Sequence, residues 1–409
     1  MKVLYIGTAD IAGGAALLAH SLAESLFSKY GVETQFLVSE KFSDKKNVIA
    51  TRSKPVWFFE KSFDKFLNLL GFQYYFIPIS SAKILKETKK YYPDIIHLNN
   101  IHGGYFQTDL LTKLAEIAPI VWTFHDMFPI TGHCAYSFEC EKWMTGCGNC
   151  ERLDIYPLIK KDRTNALWNY KNKVFNSADF TIVTPSLWLK KCIEQSFLKN
   201  KDIRLIYNGI DLNEFKKINK QKARKELALP LDKKIVLFSA NGGVKNPFKG
   251  GDFVFQSFEK LKNRNDILFL NIGGNNDRTS ENWLDFGYVK DPQIMAKLYP
   301  AADVYLFPTL ADNCPLTAIE SLACGLPVVT FETGGVPEIF ENDKTGLIVG
   351  YKNGAMLTSA LEKLLDDDEL REKMSENAVE ASKKFSKEKM TEEYFRIYKE
   401  IVKDNAIVK

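Results

Sequence analysis

Apolar positions along this chain fall mostly in short, nearly unbroken runs, and between the runs they recur at helical spacing. KVLYIG (2–7), TQFLVS (34–39), DIIHL (94–98), IVWTFH (120–125), FTIVTPS (180–186) and IRLIYNG (203–209) read as strands in the first half. KIVLFSA (234–240), ILFLNIG (267–273), VYLFPT (304–309) and LPVVTF (326–331) repeat the arrangement in the second. Amphipathic stretches around 15–28, 80–91, 105–117, 162–176 and 186–196 separate the first set. A strand apolar on both faces needs cover on both, so such strands alternating with helices predict parallel sheets between helical layers.

The alternation breaks at IYNGIDLNEFKKINKQKARKELALPLDKK, a polar, lysine-rich segment that reads as a domain boundary. The expected architecture is α/β, with two doubly wound, Rossmann-like domains. The first spans 1–209, the second 210–385, and a C-terminal helix at 386–409 is expected to complete the first. A chain of 409 residues exceeds one ordinary core, which agrees. With 55 basic against 51 acidic residues, the net charge of +4 gives no basis for a nucleic-acid partner. No run approaches the roughly eighteen apolar residues of a membrane-spanning helix. The N-terminus is apolar after Lys2, but Asp10 and Gly13-Gly14 interrupt it, so it reads as a buried strand rather than a signal peptide. A cytoplasmic protein is expected, and seven cysteines, an odd number, fit that compartment.

Candidate chemistry falls at strand ends, where open parallel sheets bind ligands. GTADIAGGAALLAH follows the first strand, and Gly13 and Gly14 would let backbone pass close to a phosphate or sugar. It is not G-x-G-x-x-G, so a nicotinamide or flavin is not indicated. SANGGVKNPFKGG (239–251) sets Gly242, Gly243, Lys245 and Lys249 just before a helix, which suits a pyrophosphate. FPTLADNCPLTAIESLACGLPVVTFETGGVPE (307–338) carries Asp312 in a loop and Glu320 eight residues on, inside a helix that Pro315 starts. A loop carboxylate there can accept sugar hydroxyls, and one further into the helix can chelate a ribose diol.

This last block resembles the family-four retaining glycosyltransferases, which have the GT-B fold, two Rossmann-like domains facing an interdomain cleft. Asp312 and Glu320 match that family's E-x7-E motif, and LACGLPVV and TGGVPEI match its continuation. GGAALLAHSLAESL resembles the family's glycine loop, TFHD (123–126) its histidine loop, IYNGID its interdomain crossing, and FKGG its phosphate-lysine loop. FGYVKDPQIMAKLYPAADVYLFPT resembles its base-binding segment. Two departures stand out: Asp replaces Glu at position 312, and Lys245 or the glycine-rich backbone occupies the place of the usual arginine. DNCPLTAIES and the cysteine-bearing block after HDM resemble a bacterial surface-polysaccharide branch.

The resemblance implies transfer of a sugar from a UDP- or GDP-linked donor to an acceptor hydroxyl, with anomeric configuration retained and no cofactor or divalent metal in catalysis. In that reading Lys249 offsets charge on the pyrophosphate, with Lys245 and the Gly242-Gly243 amides beside it. His125 bonds the donor sugar or phosphate, Asp312 the sugar hydroxyls, Glu320 the ribose, and backbone at Tyr288-Val289 the base. Asn313, Cys314, Pro315 and Leu316 are counted with the donor side; Gly13, Gly14 and His102 with the acceptor or phosphate loop. His97 is assigned to the core, and Asp126 to capping a turn. The acceptor implied is a saccharide or a lipid-linked saccharide. Rival readings are a GT-B-shaped nucleotide-sugar epimerase or hydrolase and a zinc-organised binding module.

Two further stretches carry expectations. Cys134, Cys140, Cys147 and Cys150 form C-x5-C-x6-C-x2-C, and a structural zinc held by all four is expected ahead of disulfides, a fortuitous cluster or an iron–sulfur centre. PVWFFEKSFDKFLNLLGFQYYFIP (55–78) is rich in aromatics and lysines; its default reading is core packing, and its alternative a lipid-facing surface at the membrane periphery.

Overall fold

The computed structural model describes residues 1–274 and 279–408. The chain divides into two compact units: Met1–Tyr207 with Lys387–Lys409, and Asn208–Ser386. In the first, strands β1 (Lys2–Ala9), β2 (Glu33–Glu40), β3 (Val48–Ala50), β4 (Ile95–Leu98), β5 (Ile120–Thr123), β6 (Thr181–Thr184) and β7 (Asp202–Leu205) form one parallel sheet. Its order is β3-β2-β1-β4-β5-β6-β7. In the second, β8 (Lys234–Ser239), β9 (Ile267–Ile272), β10 (Thr279–Ser280), β11 (Trp283–Gly287), β12 (Val304–Phe307), β13 (Val328–Phe331) and β14 (Gly346–Val349) are ordered β10-β11-β9-β8-β12-β13-β14. All its pairings are parallel except the short β10–β11 one.

The expected run-and-helix alternation is present, and the central strands are shorter than their apolar runs. IVWTFH pairs only over Ile120–Thr123, and FTIVTPS only over Thr181–Thr184. The apolar run outlasts the strand: Phe124, whose N–H still donates to the Val183 carbonyl at 2.9 Å, is buried against Trp122, with ring centroids 4.6 Å apart. Strands β3, β10, β11 and β14 escape the sequence reading because they are short or broken by polar residues. Each unit has its own core. Ile6, Ile96, Leu98, Trp122 and Phe175 lie in the first, and Val236, Phe238, Trp283, Leu306 and Phe331 in the second.

One expectation fails. Most of the aromatic segment at 55–78 does not pack inward; it opens with helix Lys54–Leu69, whose only buried residue is Glu60. Phe58, Phe59, Phe66 and Phe76 are exposed. No helix among the described residues is long and apolar enough to cross a membrane.

The C-terminal helix Lys387–Val408 returns to the first unit and inserts two tyrosines beneath the sheet. The Tyr398 hydroxyl lies 2.5 Å from His97 Nδ1 and 3.3 Å from the Tyr5 hydroxyl. His97 Nε2 meets Thr123 Oγ1 at 2.7 Å, which in turn meets the Tyr394 hydroxyl at 2.8 Å. Burial, then the nearby His125, push the His97 ring down to about 3, so it serves as a neutral hydrogen-bonding link in the core. Replacing Tyr398 by Phe removes one hydroxyl and leaves buried partners short of a bond, which costs about 1–3 kcal/mol. Urea unfolding of Tyr398→Phe should show a lower midpoint with an unchanged m-value; wild-type stability would mean the network carries no net stabilisation.

Candidate active site

Each sheet reverses its direction of winding once, and the candidate residues of each unit lie near its own switch point. In the second unit the chain steps from β8 outward through β9 to β11, then returns to lay β12 on the other side of β8. At such a switch point the loops leaving adjacent strands diverge and open a crevice. The loop after β8 carries Lys249, the loop after β12 carries Asp312, and their side chains meet: Lys249 Nζ donates to Asp312 Oδ2 at 2.6 Å. Thr309 Oγ1 donates to the same oxygen at 2.6 Å and also lies 3.1 Å from the Phe248 carbonyl. The Leu310 N–H ties the two loops together by donating to the Phe248 carbonyl at 2.8 Å.

Close backbone approach makes this possible. Gly250, at φ +68°, begins helix Gly251–Leu261, and a Cβ there would lie 1.9 Å from the Pro308 carbonyl oxygen. Gly334, at φ +53°, sits equally close to the carbonyl oxygen of Asp312. A side chain at 250 would force apart the loops that bring Lys249 to Asp312, and one at 334 would push the loop after β13 away from Asp312.

Helix Leu316–Ala323 follows, with Pro315 at its cap and Glu320 in its second turn. Glu320 Oε2 accepts from the Tyr299 hydroxyl at 3.0 Å. Burial pushes the Glu320 carboxyl up to about 7, against the lowering effect of that bond, with Glu214 adding a smaller upward push. Asn313 and Cys314 are buried, and the Cys314 carbonyl accepts from Asn208 Nδ2 at 2.8 Å. Pro315 and Leu316 are half-buried. Gly242 is exposed and Gly243 buried, together bounding the single turn Gly243–Lys245, and Lys245 is exposed. Tyr288 and Val289 follow the end of β11, the tyrosine exposed and the valine half-buried.

In the first unit the switch falls between β1 and β4. Gly13, at φ +87°, caps helix Gly14–Tyr30 after β1. His125, two residues past β5, meets Asn99 Oδ1 at 2.9 Å through Nε2; Asn99 directly follows β4. Burial, with His102 nearby, pushes His125 down to about 4, so the ring is neutral near pH 7. His102 is buried, its Nε2 3.5 Å from Asp126 Oδ2 and its ring against Phe128. Asp126 Oδ1 accepts the Phe128 N–H at 2.9 Å, which is the turn-capping role.

Cys134, Cys140, Cys147 and Cys150 line one cavity of about 570 Å³. They do not form the expected zinc cage: among the described residues no group of three or more His, Cys, Asp or Glu side chains is arranged to hold a metal ion. The sulfurs have other neighbours. Gly132 N–H donates to Cys147 Sγ at 3.2 Å, and Cys150 Sγ lies 3.6 Å from His133 Nε2. Burial pushes the Cys134 and Cys147 thiols up to about 12 and 11, which keeps them protonated. The loop is held instead by Lys171, whose buried Nζ donates to the Phe128 and Thr131 carbonyls at 2.7 and 3.1 Å.

Thr309, Tyr299, Asn99 and Lys171 hold the candidate side chains or their loops, and sequence reading missed all four. Asn99 had a signal, a polar residue at the end of an apolar strand. Lys171 and Tyr299 had none, since each reaches its partner from a helix distant in sequence.

Residues 219–381 match the family described as "Glycosyl transferases group 1", and residues 12–214 match "Glycosyltransferase Family 4". The chain is 30% identical over 340 residues to a D-inositol 3-phosphate glycosyltransferase of Corynebacterium efficiens, covering 72% of this chain and 78% of that one. It is 22% identical over 320 residues to the putative colanic acid biosynthesis glycosyl transferase WcaC of Escherichia coli, covering 76% and 77%. The structure of Anabaena HepE in complex with UDP-glucose aligns with a TM-score of 0.68 at 15% identity, over 98% of this chain and all of that one.

Gly250→Ala tests the loop geometry. The overlap with Pro308 and the positive φ should lower stability by at least about 2 kcal/mol and abolish nucleotide binding, read by thermal unfolding and calorimetric titration with UDP and GDP. Wild-type values in both would show that the two loops do not depend on this approach.

Proposed function

Because the chain belongs to the family-four glycosyltransferases and is built from two Rossmann-like units of the GT-B type, we propose that it transfers a sugar from a UDP- or GDP-linked donor to a saccharide or lipid-linked saccharide, with retention, in surface polysaccharide or glycoconjugate synthesis. One juxtaposition carries this reading: a lysine and a carboxylate 2.6 Å apart at the switch point of a parallel sheet, with a second carboxylate in the helix that follows. The crystal structure of HepE with UDP-glucose supports the donor class, and the similarity to WcaC supports the polysaccharide setting.

In the proposed reaction the bond from the anomeric carbon to the phosphate oxygen breaks, and the acceptor oxygen bonds that carbon on the same face. The acceptor proton passes to the departing phosphate, and the products are the glycosylated acceptor and a nucleoside diphosphate. Lys249 turns from Asp312 toward the pyrophosphate and stabilises the charge that grows there, with Lys245 and the Gly242-Gly243 amides beside it. Asp312 then accepts sugar hydroxyls in place of the ammonium. Glu320 accepts the ribose diol, and the exposed backbone at Tyr288-Val289 meets the base. His125, neutral and held by Asn99, donates to the sugar or its phosphate.

Lys249→Ala should lower kcat by about 10²–10³ in a protein that still folds, with a lower thermal midpoint because buried Asp312 loses its cation, assayed as nucleoside diphosphate released from a panel of nucleotide sugars. Activity should persist in a strong chelator, because lysines offset the pyrophosphate charge. Transfer within twofold of wild type would remove Lys249 from the mechanism.

Glu320 gives a pH signature. Its carboxyl keeps a proton below about 7, and only the ionised form accepts two ribose hydroxyls. Nucleotide affinity should therefore rise as pH increases from 6 to 8, by up to about tenfold per unit on the acid side. Glu320→Gln should bind more weakly and lack that component, which separates it from titration of the phosphates. Parallel pH profiles for the two proteins would refute ribose binding by Glu320.

A further inference from the structure

Helix Lys54–Leu69 inverts the usual polarity of a surface helix. Its two acidic residues face the protein. Glu60 is 1% exposed, and its Oε1 accepts the Ile79 and Ser80 N–H groups at 3.0 and 2.9 Å, while Ser80 Oγ donates to Oε2. The buried carboxylate thereby satisfies the orphan donors at the start of helix Pro78–Tyr91. One turn on, Asp64 accepts the Tyr74 N–H at 3.4 Å, and burial raises its carboxyl to about 6. The outward face keeps Phe58, 70% exposed, with Phe59, Phe66 and Leu69, and with Lys54, Lys61 and Lys65. Phe63 stands between Phe66 and Phe76, at centroid distances of 6.3 and 5.0 Å, so the patch continues from the helix onto the following loop and reaches exposed Ile79.

A folding chain gains nothing by turning carboxylates inward and phenylalanines to water, so the outer face must meet a non-aqueous surface. Charge selects which one. With the acids spent inside, the helix presents three lysines and no carboxylate of its own. Two copies placed face to face would bring six ammonium groups together, which disfavours a second copy as the cover. Phenylalanines flanked by lysines on a helix about 24 Å long match the boundary between headgroups and acyl chains of an anionic bilayer. There the rings enter the apolar layer while the lysine stems extend to phosphate.

We propose that this face is a docking surface for anionic membrane, seating the first unit on the bilayer through Phe58, Phe59, Phe66 and Phe76, with Lys54, Lys61 and Lys65 at the lipid phosphates. The surface is separate from the donor residues, so it stands independently of the reaction assigned above.

The test uses the full chain and sedimentation with vesicles of phosphatidylcholine alone or mixed with phosphatidylglycerol. Binding is expected to the mixed vesicles and to weaken with salt. Phe58→Ser combined with Phe59→Ser should lower partitioning by at least about tenfold. Lys61→Gln and Lys65→Gln should each lower it by about fivefold. All of these positions are exposed, so thermal midpoints and UDP or GDP binding should match wild type, which keeps a failure here distinct from a failure of the donor assignment. No association with anionic vesicles, or equal partitioning of wild type and variants, would overturn the proposal. So would a dimer in sedimentation equilibrium that Phe58→Ser disperses without any vesicle binding.

Discussion

Two adjacent parallel strands, β8 and β12, lie side by side although about seventy residues separate them in sequence, and the chemistry of the second unit depends on that adjacency. Parallel strands all end at the same edge, so the loops leaving β8 and β12 emerge together and diverge. Lysine and aspartate can then meet across the opening at 2.6 Å, with Thr309 on the same oxygen. The ammonium is thus held, partly desolvated, against a carboxylate. Gly250 allows the two backbones to approach that closely, and Gly334 brings the loop after β13 equally close to Asp312.

The first unit solves a similar problem with neutral groups. Burial depresses His125, and Asn99 orients its ring, so the histidine is a hydrogen-bonding group rather than a charge near pH 7. Beneath it, His97 joins two tyrosines of the C-terminal helix to strands β1 and β5. A chain that has left the first unit to build the second is bound back to it by buried hydroxyls, whose partners would otherwise lie unsatisfied in an apolar core.

Legibility varied with the kind of signal. Unbroken apolar runs such as VYLFPT reported buried parallel strands well, because burial on both faces leaves no room for polar residues. Their ends were less clear: the sequence stays apolar through Phe124, while the strand itself ends at Thr123. The segment at 55–78 misled because aromatic content reports a wish to leave water, and carries no information about whether protein or another surface provides the cover. The cysteine cluster misled in a related way. Its spacing brings four thiols to one cavity, but spacing does not fix the distances between them, and no group of three or more ligating side chains is arranged for a metal ion among the described residues.

By itself the sequence determined what is local or periodic: two Rossmann-like halves, the glycine and lysine loop at 239–251, the acidic pair at 312 and 320, and the histidine after a strand. These follow from hydrophobic spacing and residue chemistry, which act over a few neighbours. Only the tertiary structure decided that Lys249 is partnered by Asp312, that Tyr299 reaches Glu320, that Lys171 holds the loop ahead of the cysteines, and that Glu60 faces inward while Phe58 faces out. Each of those depends on which strands become neighbours and which helix face meets the sheet. That choice is made by the whole core at once, and no short stretch of the chain contains it.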